Sequence, residues 1–358
     1  MTNQTRDMLN QDIRSLDRMW RDMDGAEYQV DEYWRRLAHR NGLVGRLSLN
    51  SFRDGRYSSY SASHSRLRWT PRWRALKRIF ERMASLEHFI RCHGYRVPFS
   101  VSREDSESLR DNYGETIFRI LHVRDRRISE ISDSGLGSPG DRIRVGGKIY
   151  THSFLTYFHR FTMMDASLPF GKMSYFLEIG SSYGGQAEVL LKLFPHLKIC
   201  LVEIPPQLYV AQQYLRAVFP GEVIDYQEVA GTSSISRETF RERRIMVMAP
   251  WQMGKFDDQL FDAGTNQYSF QEMSQATVET YCREIQRLVR DAVFLFECRE
   301  GHPAVAAPVE REHYIRWLAP RFTLAGTITE CPHEAILAEA GRQLLHQDLY
   351  FFKAARSV

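Results

Sequence analysis

Residues 175–203, YFLEIGSSYGGQAEVLLKLFPHLKICLVE, constrain this chain more than any other stretch. Residues 175–179 form a short apolar run with aromatic and β-branched members, the pattern of a strand buried on both faces. A turn of small residues follows, Gly180-Ser181-Ser182-Tyr183-Gly184-Gly185. Residues 187–194 are apolar and contain strong helix formers until Pro195 stops them. Residues 198–202 read as a second strand, and Glu203 stands at its tip. Strand, glycine-rich turn, helix and acid-tipped strand make the first half of a nucleotide-binding α/β sheet.

Three chemistries share that outline. A dinucleotide site uses G-x-G-x-x-G, whose second glycine lets the backbone meet a pyrophosphate. Here Ser182 holds that position. Gly180-Ser181-Ser182-Tyr183-Gly184 also fits the G-x-S-x-G elbow of an α/β-hydrolase, with Ser182 as nucleophile. That reading leaves Glu178 and Glu203 without a task, and the 80 residues before the turn offer few of the strands it needs. The third chemistry uses every residue. Glu178-x-Gly180-x-Ser182-x-Gly184 resembles the E/D-x-G-x-G-x-G turn of class I S-adenosylmethionine (SAM) methyltransferases. The resemblance implies that the backbone of Gly180, Ser181, Ser182, Tyr183 and Gly184 meets the methionine and ribose parts of the cofactor. Glu178 flanks this turn, and Glu203, followed by Ile204, would accept the ribose hydroxyls.

The chain's 358 residues, 43% of them apolar, suffice for one large domain or two with ample core. No apolar run approaches the roughly 20 residues of a membrane-spanning helix. The N-terminal MTNQTRDMLNQDIRSLDRMW is too charged for a signal peptide. Five scattered cysteines without a C-x-x-C pair indicate neither a zinc site nor a disulfide framework, and a cytoplasmic location is expected. Charge divides the chain. Residues 1–150 hold 28 Lys and Arg against 20 Asp and Glu, whereas the remainder holds 20 against 24.

Met8, Leu9, Ile13, Leu16, Met19, Trp20 and Met23 form one apolar helical stripe, suited to core or to a dimer contact, so a homo-oligomer is one expectation. Between Arg46 and Arg96, twelve bases face three acids, interleaved with Tyr57, Tyr60, Trp69 and Trp73. Such a stretch suits a solvated helix face, nucleic acid, or an anionic sugar or headgroup. No nucleic-acid motif accompanies it, so no nucleic-acid partner is expected. Residues 133–147, DSGLGSPGD and then a glycine pair, read as the linker between a basic, mainly helical domain at 1–140 and a second domain at 141–358. An aromatic helix over residues 153–164 places His152, Tyr157 and His159 just upstream of the first sheet strand.

Beyond Glu203, strands are expected at residues 244–249, 260–265 and 292–296, with a closing antiparallel pair at 322–329 and 345–352. Residues 222–236 read as a connection or short helix. Pro250-Trp251-Gln252 follows the third strand, where an adenine ring would stack on Trp251 and bond Gln252, unless Trp251 is core. The segments FLEIGSSYGGQAEVLLKLFP, LVEIPPQLYVAQQYL, APWQ and FDAGTNQYSFQEMSQATVETY together resemble the bacterial sugar O-methyltransferase family over about residues 140–350. Two departures are the Gly-Ser-Ser turn and Glu203, where the family more often has glycine and Asp.

The resemblance implies a class I SAM-methyltransferase fold, a Rossmann-like seven-stranded sheet whose last strands run antiparallel. It also implies transfer of a methyl group from SAM to a sugar hydroxyl of a saccharide or glycoside acceptor, a surface glycan or a glycosylated natural product. The basic half suits an anionic acceptor. Asn266 joins the implied cofactor residues, and Tyr157, Gln267, Arg66 and Arg68 the implied acceptor residues. A sugar hydroxyl is a weak acid, so a general base should take its proton. Glu272 is the first candidate, His302 the second and His152 the third. Ser269-x-x-Glu272 is equally a capping box opening the next helix. Asp257-Asp258 lacks a placed histidine, and no metal is expected. A fold of this class that binds without catalysing remains the alternative beside the hydrolase.

Overall fold

The structure, a computed structural model, describes Leu16, Arg18, Met19, residues 21–23, Phe52, Arg53, and residues 103–298, 307–330 and 347–355. The chain divides into two compact units. One comprises residues 1–49, 160–329 and 347–358; the other comprises residues 50–159 and 330–346.

The larger unit is built on an eight-stranded sheet. In chain order its elements are β3 (Tyr175–Ile179), α3 (Gly185–Leu193), β4 (Lys198–Val202), α4 (Gln207–Val218), β5 (Val223–Ile224), α5 (Tyr226–Gly231), β6 (Ile245–Met248) and β7 (Phe261–Gln267). Then come α6 (Gln275–Leu288), β8 (Val289–Cys298), α7 (Arg311–Leu318), β9 (Phe322–Glu330) and β10 (Gln347–Ala354). Across the sheet the order is β5-β6-β4-β3-β7-β8-β10-β9. The first six of these pair in parallel, and β10 runs antiparallel to β8. With β5 set aside, this is the class I methyltransferase sheet, mostly parallel and ending in antiparallel strands.

Among the described residues the seven expected strands are therefore eight. β5 is two residues long and adds to the free edge of β6, too short to show any alternation in sequence. The chain leaves β3 in one direction toward β4 and β6, and returns on the other side of β3 as β7 and β8. Sheets of this kind bind their ligands at the carboxyl ends of the strands that flank such a reversal, here β3 and β7.

Burial explains why β3 is central. Phe176, Leu177 and Ile179 are buried, each contributing about 1.5–3 kcal/mol. They carry Glu178 into the interior with them. At the opposite end of the sheet, Asp262 of β7 accepts the N–H groups of Ser174 and Tyr175, at 2.6 and 3.0 Å, and pairs with Arg290 at 2.9 Å. On α6, Val278, Tyr281, Cys282, Ile285 and Leu288 form the buried face, at helical spacing. Leu16, Met19 and Met23 are helical and buried, which makes that part of the N-terminal stripe core.

The smaller unit contains α1 (Arg103–Arg124), the hairpin β1 (Ile143–Val145) and β2 (Lys148–Tyr150), and the first half of α2 (His152–Ser167). Here the sequence expectation of a linker over residues 133–147 needs correction. Asp133 is 4% exposed and accepts both guanidinium nitrogens of Arg53, at 3.0 and 2.8 Å. Gly146 and Gly147 form the hairpin turn at φ +56° and +79°, the conformation a two-residue turn demands. The glycines serve tight turns, and Arg53 is 80 residues away, so the local text resembles a linker.

Candidate functional site

The turn after β3 is shaped by contacts from two other strand tips. Gly180 extends the ladder by donating its N–H to Val202 O at 2.9 Å, at φ +74°. A Cβ there would lie 2.1 Å from Ser269 Oγ, so only glycine lets that hydroxyl seat against the turn. Asn266, at the end of β7, donates its amide to Ile179 O at 2.9 Å and to Ser269 Oγ at 2.5 Å, and accepts Phe270 N at 3.1 Å. Asn266 is thus a staple between strand tips. Gly184, at φ +88°, is the N-cap of α3, with Leu215 2.9 Å from where its Cβ would be.

Glu203 closes the other side. Its two oxygens accept Ser182 N at 2.6 Å and Ile204 N at 2.8 Å, and Ser182 sits at φ +52°. Each carboxylate oxygen has two acceptor positions, so one on each remains for further donors. Tyr183 is buried edge-on against Tyr214, 5.1 Å away, and contributes packing. Ser181 is 3% exposed, and its hydroxyl has no partner among the described residues.

Glu178 is 2% exposed, and its Oε2 also has no partner there. Burial, with the Glu203 charge second, pushes it up to about 8, against an opposing effect of Arg160. Glu203 is pushed up to about 7 by burial, which the Ile204 and Ser182 N–H groups oppose. Glu272 is half-buried and rises to about 8, again through burial and then the Glu203 charge. The carboxyl ends of β3, β4 and β7 therefore contribute three acids that hold protons near neutrality.

The capping box expected at Ser269-x-x-Glu272 does not form. Ser269 Oγ is taken by Asn266, and α6 is capped instead by Ser274, which accepts Thr277 N at 3.3 Å. Among the described residues nothing hydrogen-bonds or ion-pairs with the Glu272 carboxylate. At the tip of β6, Gln252 is buried with its oxygen accepting Ala249 N at 2.9 Å and its nitrogen donating to Tyr226 O at 3.4 Å, so its polar atoms serve the loop itself. Trp251 is half-buried, and its Nε1 donates to the Tyr226 hydroxyl at 3.3 Å. That hydroxyl in turn donates to Asp22 Oδ2 at 2.6 Å.

Gln267, at the end of β7, accepts Arg160 Nη1 at 2.9 Å and donates to Gln186 Oε1 at 3.1 Å. Arg160 also lies over the Tyr268 ring, 4.5 Å from its centre. The sequence reading missed Arg160 and Gln186, and gave Ser269 only a capping role. Gln186 carried one signal, a polar residue in the first turn of a helix that the sequence places directly after the glycine turn. His152 and Tyr157 belong to the smaller unit: burial holds His152 down at about 4, its backbone N–H donates to Asp141 at 3.0 Å, and Tyr157 is buried. His302, Arg66 and Arg68 lie outside the described residues. Asp257 and Asp258 are exposed, and Asp258 pairs with Arg287 at 3.0 Å.

The hydrolase pattern lacks its surroundings. β3 is the first strand of the large sheet among the described residues, and none of their histidines hydrogen-bonds to Ser182.

No family model matches the chain, and no curated protein matches it. Similar solved structures include the magnesium protoporphyrin IX methyltransferase of Synechocystis with bound SAM, at 9% identity over 70% of this chain and 98% of that one, TM-score 0.39. A second is the N-methyltransferase NodS of Bradyrhizobium japonicum with S-adenosyl-L-homocysteine, at 16% identity over 57% and 88%, TM-score 0.35. A third is the mitomycin 7-O-methyltransferase, at 13% identity over 56% and 57%, TM-score 0.35. The fold assignment rests on the strand order, and the site on its geometry.

Proposed function

We propose that the carboxyl ends of β3, β4 and β7 bind SAM, and that the chain transfers its methyl group to a hydroxyl of a saccharide or glycoside. One observation carries the cofactor reading. Glu178 Oε2 and Ser181 Oγ are buried without partners among the described residues, beside the turn that Glu203 bonds and Ser269 packs against. Buried polar atoms are costly to leave unpaired, and a ligand with an ammonium and ribose hydroxyls would pair them. When bound, SAM supplies a methyl group on a sulfonium centre.

The residues present fit that group. Glu178 offers an acceptor to the amino group, and the free acceptor positions of Glu203 suit the ribose hydroxyls. Trp251 lies at the tip of β6, where the adenine would rest. Glu272 takes the proton from the acceptor hydroxyl; a carboxylate near 8 is matched to that task at neutral pH. The sugar class rests on the resemblance of the four quoted segments, and the basic residues between Arg46 and Arg96 suit an anionic acceptor or a contact between copies of the chain. A division of labour between residues 1–140 and 141–358, and a cytoplasmic setting, belong to the same proposal.

Calorimetry with SAM tests the cofactor, and a gain of one methyl group on a panel of nucleotide sugars and glycans tests the reaction. Binding abolished by Gly184→Arg is expected, since that side chain would enter the space of Leu215. Wild-type protein that binds no SAM would remove the reading. SAM bound without turnover on any acceptor would favour the silent binding module.

A further inference from the structure

Arg160, Gln267 and Gln186 are joined in series, and the guanidinium fixes which way each amide points. A guanidinium has donors and no acceptor. Gln267 must therefore turn Oε1 toward Arg160, as it does at 2.9 Å. Its nitrogen then faces Gln186, which must answer with Oε1, at 3.1 Å. The last amide in the series is left with its nitrogen outermost. Gln186 is 0% exposed, and that Nε2 has no partner among the described residues.

A buried, unpartnered donor is expensive in a protein with no use for it. Gln186 is also the second residue of α3, whose first-turn N–H groups and dipole favour negative charge. A second buried polar atom without a partner among the described residues is an acceptor, Glu178 Oε2. Arg160 links the two, since it starts the relay and is the cation that acts on Glu178. A simple anion would satisfy Gln186 but meet the Glu178 carboxylate. A zwitterion carrying a carboxylate and an ammonium satisfies both.

We infer that the Arg160–Gln267–Gln186 relay is a polarity lock that presents an amide donor to the carboxylate of a ligand's free α-amino-acid group, with Glu178 taking the ammonium. Gln186 touches the ligand, whereas Gln267 and Arg160 are positioning residues. The inference rests on the SAM reading and adds that this chain recognises the amino-acid end through a side-chain relay as well as through its glycine turn.

The test compares S-adenosyl-L-homocysteine with 5′-methylthioadenosine, which keeps the nucleoside and thioether but lacks the amino-acid end. Gln267→Glu retains the shape and the Arg160 bond, but can only accept, so Gln186 must turn its amide and point its oxygen outward. S-adenosyl-L-homocysteine affinity should fall on the order of 10- to 100-fold while methylthioadenosine affinity stays within a factor of about two. Gln186→Leu, an apolar change at a buried position, should give the same selective loss if the added charge of Gln267→Glu impairs folding. Equal effects on the two ligands, or no effect on either, would overturn the relay. Wild-type protein that binds methylthioadenosine as tightly as S-adenosyl-L-homocysteine would overturn the relay and leave the SAM site standing. Wild-type protein that binds neither would remove both.

Discussion

The backbone N–H of Ser182 donates to Glu203 Oε2 over 2.6 Å, so the glycine turn after β3 is tied to the acid at the tip of β4. Glu203 has two tasks at once, holding the turn and offering its remaining acceptor positions to a ligand. Glu203→Ala should raise the SAM dissociation constant on the order of 10- to 100-fold, the range of about 1.5–3 kcal/mol for hydrogen bonds to a charged group. Glu203→Gln keeps one acceptor oxygen and should lose less. Calorimetry at fixed pH measures both, and unaltered binding in Glu203→Ala would withdraw the ligand role.

Gly180 and Ser269 occupy a single space. In Gly180→Ala the new Cβ would lie 2.1 Å from Ser269 Oγ and 2.7 Å from its Cβ, at φ +74°. Contacts that short force the turn to move. A clear drop in melting temperature is expected, together with loss of SAM binding. The double variant Gly180→Ala with Ser269→Gly removes the clashing atoms and keeps the backbone strain of about 1 kcal/mol. It should recover part of the melting temperature. No recovery would show that the strained φ, rather than Ser269, dictates glycine here.

Residues 175–203 were legible because strand, turn and helix there follow from neighbours in sequence, and the apolar run of β3 carries Glu178 inward by itself. What escaped notice connects distant residues. Arg53 meets Asp133 across 80 positions, Arg160 meets Gln267 across 107, and Tyr226 meets Asp22 across 204. No local pattern announces such pairs. The Ser269-x-x-Glu272 string failed for a related reason. Asn266 claims the Ser269 hydroxyl, and the true cap of α6 lies five residues further on, at Ser274. A cap string is a local signal that a tertiary hydrogen bond can overrule.

The acids of the site set a pH dependence with a definite sign. Glu178, Glu203 and Glu272 rise to about 8, 7 and 8, chiefly through burial, and as neighbours they titrate together. The native state therefore holds protons that the unfolded chain has released above its carboxylate range of about 4.3. Their contribution makes the ligand-free protein lose stability as pH rises from about 4.5 to about 8. A cationic ligand favours the ionised acids, so SAM affinity should increase from pH 6 to 8.5 with release of protons. S-adenosyl-L-homocysteine lacks the sulfonium charge and should gain less, shifting the ratio of the two affinities on the order of tenfold. Calorimetry in buffers of different ionisation heat reads the protons directly. A ratio that stays flat across this range would sink the prediction.

Glu272 is where structure changes the terms of the test. Its capping role is gone, because Ser269 and Ser274 are otherwise engaged, and its carboxylate is held up at about 8 by burial and by the Glu203 charge. A carboxylate without a partner in such a place weakens the fold whenever it ionises. Glu272→Gln keeps the shape and removes that charge. The variant should therefore melt higher than wild type by a margin that opens above about pH 4.5 and is complete above about pH 8, whereas below about pH 4.5, where the Glu272 carboxyl is neutral in the folded and the unfolded chain alike, the two should match. If Glu272 is also the general base, kcat should fall on the order of 10²–10⁴-fold. The rise of wild-type kcat/KM through the pKa of the base should vanish in the variant, while SAM affinity stays within a factor of a few. A variant that is more stable at high pH and fully active would leave Glu272 a buried acid without a catalytic part. The base would then have to be sought at His302.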